Sequence, residues 1–298
     1  MITIAPRRRA DNLFLSANLF FFSSLLLFNN LAYAASFDCT QASTSVEKRI
    51  CSDDDLSALD SQLQTHYQRY LALAKEAQPQ HGNLSQQIDL TQQIKQQQRE
   101  WLKTRNQQCS SLYRCMNSYS QRIVTLKQLA DQQGLLNQLA TITDSNQLIW
   151  LKEFALLRDD FFAAYTSQLL GKKRRLTSKE FTALMSGPPQ AYQDNGEVVI
   201  AMSCRQHSCP EKGVVAIDKS TTNKSTTNKS KAAMVFAAVH YTDEMGNSQI
   251  DKPTLTFYYR DPALFERVKA EILAVVAEHV TVVQVNEVLV SANEREEL

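Results

Sequence analysis

Glycine is scarce in this chain, with seven in 298 residues, and none belongs to a glycine-rich phosphate loop. There is no G-x-S-x-G nucleophile turn and no H-E-x-x-H zinc motif. His66, His81, His240 and His279 are scattered without a partner pattern and read as structural or surface residues. These absences remove the usual signatures of nucleotide binding, serine hydrolysis and metalloproteolysis, so neither an enzyme nor a cofactor is expected. Excess charge is missing too: the formal net charge is +1 at pH 7, which gives no reason to expect nucleic acid as a partner. Apart from one run near the start, no stretch is apolar for long enough to cross a membrane, so an integral membrane protein is not expected.

That first run reads as an export signal. Arg7 to Arg9 form a positive region, and Leu13 to Phe28 is mostly Leu and Phe, broken by Ser and Asn. The run is shorter than the roughly 20 residues a bilayer span needs. Ala32-Tyr33-Ala34 follows as a small-x-small cleavage pattern. The expectation is a signal peptide over 1–34, cut near Ala34, and a periplasmic mature protein; an uncleaved anchor is the alternative. Removing three Arg and one Asp with that segment turns the net +1 into −1.

All six cysteines lie beyond the signal: Cys39, Cys51, Cys109, Cys115, Cys204 and Cys209. An even count in an exported chain argues for three disulfides. The first four flank a helical stretch. Leu56, Leu59, Leu63, Tyr67, Tyr70 and Ala74 recur at steps of three and four, as do Leu90, Ile94, Trp101 and Leu102 with one wider gap. A third helix is expected from about Met116, with Tyr119, Ile123, Leu126 and Leu129 on one face. Gln78-Pro79-Gln80-His81-Gly82-Asn83 reads as the turn between the first two. The Gln-rich run from Gln86 to Gln108 reads as a solvated helix face, because apolar residues punctuate it at helical steps. The result is a small antiparallel bundle over 35–135. Cys51 precedes its first helix and Cys109 ends its second, so two bridges among Cys39, Cys51, Cys109 and Cys115 would tie the ends of the hairpin. Spacing does not choose among the three pairings. Such bridges contribute about 2–4 kcal/mol each.

A helical connector over 136–176 follows, with Leu151, Phe154, Leu157, Phe161, Phe162 and Tyr165 at helical spacing, broken by the basic run Gly171 to Arg175. Thr177 and Glu180 open a short helix at capping-box spacing, and Gly187-Pro188-Pro189 stops it. Beyond that the pattern is β. Val198–Met202, Val214–Ile217, Met234–Tyr241 and Thr254–Tyr259 are short runs rich in Val, Ile, Thr and aromatics. Asp261-Pro262 caps a helix through Leu264, Val268, Ile272 and Val275, and Val280–Val288 forms a last strand. Consecutive strands with short connections predict an antiparallel-sheet α+β domain over 177–298, and so an α+β protein overall. The literal repeat Ser220–Lys224 and Ser225–Lys229 reads as a duplicated loop.

The sharpest local feature is Cys204-Arg205-Gln206-His207-Ser208-Cys209, set between two apolar strands. A disulfide over this spacing closes a tight loop, and a loop already held loses little freedom on binding. Its middle residues are a cation, an amide, an imidazole and a hydroxyl, which suit hydrogen bonding to carboxylates. Three other readings compete. A metal reading uses Cys204, His207 and Cys209 as ligands, but it has no obvious fourth ligand. A redox dithiol normally has the C-x-x-C spacing. A purely structural loop with an exposed His207 also fits the spacing.

Two resemblances follow from these residues. Cys39, Val46-Glu47-Lys48, Ile50-Cys51, Leu56, Leu59-Asp60, Tyr67, Trp101-Leu102, Arg105, Cys109, Cys115, Tyr119 and Arg122-Ile123 make residues 36 to 130 similar to the LprI-type lysozyme inhibitor domain. Residues 177 to 245 resemble the inhibitor of vertebrate lysozyme, Ivy, whose disulfide-closed loop reads C-K-P-H-D-C. Here both cysteines and His207 match, Arg205 keeps the charge of Lys, Gln206 replaces Pro and Ser208 replaces Asp. Phe181, Met185, Gly187 and Val199–Ser203 are also similar. The resemblance implies a fusion of two inhibitor domains that binds lysozyme, of the c-type class. Its loop 204–209 would enter the active-site cleft and so protect peptidoglycan. The competing expectation is an envelope binding module that regulates the cell's own murein hydrolases. Whether the chain forms a homodimer is left open.

Overall fold

Long helical runs and apolar strands have to bury their faces against one another, and they do so in layers. The computed structural model describes residues 35–77, 84–168, 176–219, 234–243 and 247–290. The export-signal segment 1–34, the turn 78–83 with His81, the basic run 171–175 and the repeat 220–229 lie outside the described residues.

The helical part begins with a single 3-10 turn at Cys39–Gln41 and a short helix, α1 (Ser45–Ser52). Helices α2 (Asp54–Glu76), α3 (Leu84–Gln108) and α4 (Leu112–Leu139) form the bundle. Their core holds Leu56, Leu63, Tyr70, Ala74, Ile94, Tyr119 and Leu126. Helix α1 was not expected; its signal was the capping box in which Thr44 and Glu47 satisfy each other's backbone amides. Cys51 therefore lies near the end of this added helix and still ahead of α2, which begins at Asp54. The pairings are Cys39–Cys51 and Cys109–Cys115. Each closes a local loop, of 12 and 6 residues of separation, and neither ties one end of the α2–α3 hairpin to the other. On the chain-entropy account loops this short contribute about 2–3 kcal/mol each.

Helices α5 (Ser145–Ile149), α6 (Lys152–Gln168) and α7 (Ser178–Leu184) lead to the sheet. The strands are β1 (Pro189–Asp194), β2 (Val198–Arg205), β3 (Ser208–Asp218), β4 (Met234–His240), β5 (Thr254–Tyr259) and β6 (Gln284–Leu289). They lie side by side in chain order. Neighbours from β1 to β5 pair antiparallel, whereas β6 pairs parallel to β5. Helix α8 (Pro262–Ala277) carries the chain back between those two strands, which is why the last pairing departs from the antiparallel expectation.

Both faces of the sheet are covered. Val199, Ala201, Val215, Ile217, Phe236 and Tyr258 face α5, α6, α7 and the end of α4. Val198, Ile200, Met202, Val214, Val235 and Phe257 face α8. Burial on both sides explains why β2 to β5 read as unbroken apolar runs instead of alternating ones. Phe236 sits at the centre of four other rings, Phe154, Phe161, Phe162 and Phe181, with centroids 4.7–6.3 Å away. Leu135 and Leu139, the last turns of α4, belong to this sheet core. Among the described residues no helix is long and apolar enough to cross a membrane.

Candidate functional site

The β2–β3 hairpin projects the six-residue motif from the end of the sheet. The strands stay in register from Val198 opposite Asp218 to Cys204 opposite Lys212, then shift so that Arg205 faces Ser208. The shift leaves Cys209, Pro210 and Glu211 as an outward bulge on β3. Gln206 and His207 make the turn. His207 has φ +64°, the one left-handed non-glycine among the described residues. A two-residue hairpin turn asks for positive φ, and histidine tolerates it better than most side chains. Cys204 and Cys209 are bridged beneath the turn, with Cα atoms 4.7 Å apart. Their sulfurs are spent on each other, so the thiolates that the metal and dithiol readings need are absent from this structure.

The four middle residues do not all face outward. Gln206 and His207 are exposed; Arg205 and Ser208 are half-buried. Arg205 turns back along β3, where Nε lies 2.8 Å from Oε2 of Glu211. That contact is an ion pair whose angle does not make it a hydrogen bond, since Nε has no hydrogen-bond partner. A ligand meeting the tip therefore meets an amide and an imidazole first.

The base of the hairpin is clamped by three elements. The Gly187 N–H donates to the Cys204 carbonyl at 2.8 Å, and the Cys204 N–H donates to Pro188 O at 3.3 Å. Ser145 of α5 donates to Met202 O at 3.0 Å, and its hydroxyl lies 2.5 Å from that of the fully buried Ser203. Lys212 is 4 % exposed, and its Nζ donates to the Cys209 carbonyl at 2.7 Å. Burial pushes the Lys212 ammonium below its ordinary pKa.

Beside the tip runs an open groove of about 700 Å³. It is lined by Trp150, by residues of α6 and α7 and by Gln206. No motif announced it, because its residues come from four separate elements. Of the other histidines, His240 has both ring nitrogens engaged, by Thr242 O at 2.8 Å and Thr256 Oγ1 at 2.9 Å. His66 is held below its ordinary pKa, first by burial and then by Arg69 and Lys127.

The helical part has its own cluster, away from the sheet. Asp60 accepts from the Tyr119 hydroxyl at 2.8 Å and from the Ser36 N–H and hydroxyl at 2.8 and 2.5 Å. Arg105 donates to the Tyr119 oxygen at 2.8 Å. Trp101 meets Tyr119 edge to face at 5.3 Å, and the Arg105 guanidinium lies 5.8 Å from the Trp101 ring. Burial, reinforced by Asp60, pushes the Tyr119 hydroxyl far above its ordinary pKa. The spaced residues Asp60, Trp101, Arg105 and Tyr119 thus converge on one buried point. At the α3–α4 turn the Cys109–Cys115 bridge closes a second tip, which presents an exposed Tyr113.

No curated protein and no solved structure matches this chain. Residues 38–141, which hold α1 to α4, both local disulfides and the Asp60–Tyr119–Arg105 network, match the family described as Lysozyme inhibitor LprI.

Proposed function

We propose that the protein is an exported, non-enzymatic lysozyme inhibitor acting in the periplasm to protect peptidoglycan. The observation that carries this reading is the match of residues 38–141 to a lysozyme inhibitor family. Export rests on the signal-like segment 1–34 and on cysteines that pair throughout. In this reading residues 35–135 and 177–298 are two recognition modules, an LprI-like and an Ivy-like one, packed together through 136–176.

The Ivy-like module acts through the loop 204–209. Lysozyme cleaves its substrate with two carboxylates in a cleft. His207, exposed at the end of a clamped hairpin, enters that cleft and occupies the substrate position. The two carboxylates are acceptors that the imidazole can meet with a hydrogen bond. Gln206 adds hydrogen bonds at the rim. Arg205 stays with Glu211 and shapes the loop from behind.

The test is a titration of c-type lysozyme activity on cell-wall suspensions with the purified mature chain. His207→Ala should weaken inhibition by at least about tenfold, which is about 1.4 kcal/mol. His207→Asn should weaken it equally, because Asn accepts the left-handed backbone and removes only the imidazole. Full potency in both variants would refute the plug and leave inhibition to residues 38–141. Inhibition of the cell's own murein hydrolases with no effect on lysozyme would overturn the reading as a whole.

A further inference from the structure

Trp150 follows directly on Leu148 and Ile149, which are 0 % and 1 % exposed, yet it is itself 69 % exposed. None of the described rings or cations stacks on it. It lines the groove beside the hairpin, whose volume lies within the roughly 300–1,000 Å³ typical of small-molecule sites.

Part of the groove lining is polar and already organised. Arg158 is only 8 % exposed and lies 5.9 Å from the Phe154 ring, so its guanidinium is held in place. Arg158 Nε donates to Ser178 Oγ at 2.8 Å, and Nε and Nη2 donate to Asp159 Oδ1 at 3.1 and 2.8 Å. The Ser178 hydroxyl donates to the same Asp159 oxygen. Three donors therefore converge on Oδ1, and no described residue meets Asp159 Oδ2 or Arg158 Nη1. What remains in the lining, among the described residues, is one unengaged acceptor, one unengaged donor and the exposed indole of Trp150.

We infer that this groove is a saccharide-binding site, with Trp150 as the stacking platform and the Arg158–Asp159 pair as the hydroxyl reader. The C–H face of a pyranose packs on an indole ring. Each sugar hydroxyl can both donate and accept, so the hydroxyls of a bound sugar can meet Oδ2 and Nη1 through charge-assisted hydrogen bonds. Gln206, also in the lining, supplies an amide suited to an acetamido group, which points to N-acetylated hexosamine oligomers. Arg158 and Lys179 against Asp159 leave only a slight positive balance, and the Glu180 amide in the first turn of α7 is already bound by its Thr177 cap. That arrangement favours a neutral, hydroxyl-rich ligand over a phosphate. Two rigidly held groups lose little freedom on binding.

This site shares Gln206 with the plug reading, but sugar binding is measured separately from lysozyme inhibition. The chain has two tryptophans, and Trp101 is packed against Tyr119, so Trp150 dominates any change in exposed-indole fluorescence. Titration of the mature chain with tri-N-acetylchitotriose should give a saturable blue shift. Calorimetry on the same samples should show the affinity falling at least tenfold in Trp150→Ala and in Asp159→Asn. Trp150 is outside both sheet cores, so its variant keeps the fold, which circular dichroism checks. Absence of saturable binding by the unmodified chain overturns the inference. So does binding of unchanged affinity in Trp150→Ala, or a Trp150→Ala variant that loses lysozyme inhibition while the parent chain ignores the sugar, since the groove would then be a protein contact.

Discussion

Gly187 lies directly against Cys204. Its N–H donates to the Cys204 carbonyl at 2.8 Å, and a Cβ at position 187 would stand 2.5 Å from that oxygen and 2.9 Å from Arg205 C and Gln206 N. All three atoms are backbone, so nothing can swing aside. Gly187→Ala should displace the hairpin base and destabilise the protein by about 1–3 kcal/mol, as overpacking does. Urea denaturation checks this, and an unchanged midpoint would show that the hairpin can yield. Inhibitory potency should fall in the same variant although His207 is intact.

Tyr119→Phe removes the hydroxyl that links Asp60 to Arg105. Both partners are buried, at 5 % and 7 % exposed, and each loses a hydrogen bond. We expect a loss of about 1–3 kcal/mol, read as a lower denaturation midpoint. A neutral effect would mean the Asp60 carboxylate is satisfied by Ser36 alone.

Glu47 sets an acid limit on α1. The Thr44 and Ser43 backbone amides hold its carboxyl at about 2, against an ordinary value of 4.5. Above pH 4.5 the group is ionised in both states and its contribution is fully present. As the pH falls from 4.5 through 2 the unfolded chain takes up the proton first, and that contribution is lost. The stability difference between the parent and Glu47→Gln should therefore shrink over that window and stay constant above it. A difference that is flat from neutral pH down to 2 would remove the capping box from the acid response.

Lys212 gives a slope of the same sign on the alkaline side, for a different reason: burial disfavours its charged form. Its pKa is lowered in the fold from 10.5 by burial, so between the lowered value and 10.5 the unfolded state binds more protons. Stability should rise with pH across that interval. Lys212→Met should abolish the rise while leaving Cys209 O without its donor. Parallel denaturation series of the two proteins on the alkaline side measure the slopes, and equal slopes would contradict the assignment.

Dividing the chain at residue 135 should fail to yield two stable pieces. Leu135 and Leu139 of α4 lie in the sheet core at 1 % and 2 % exposure. A chain ending at 135 loses the last turns of α4, and a chain starting at 136 leaves Phe154, Phe162 and their neighbours partly uncovered. Proteolysis of each fragment should be markedly faster than of the whole protein. A protease-resistant fragment 35–135 would show that the bundle holds without the sheet.

Much of the fold is legible along the chain. The steps of three and four from Leu56 to Ala74, the Asp261-Pro262 start of α8 and the apolar runs of β2 to β5 each correspond to an element. These signals are local, since period and capping depend on near neighbours. Strand β1 gave no such signal: Pro189-Gln190-Ala191-Tyr192-Gln193-Asp194 is a mostly polar edge strand that β2 recruits. The parallel pairing of β6 was equally hidden, because it depends on where α8 sets the chain down. The groove was least legible, because Trp150, Asp159, Ser178 and Gln206 meet only after α5, α6, α7 and the hairpin have packed.

The loop 204–209 shows the division most clearly. From the sequence alone came its two cysteines, the imidazole between them and the apolar strands on either side, since composition and spacing are properties of the chain. Only the tertiary structure decided that Arg205 turns back to Glu211 while Gln206 and His207 face out, and that Cys39 pairs with Cys51 and Cys109 with Cys115. Partner choice is a matter of distance through space, and that distance is set by which surfaces the folded chain brings together.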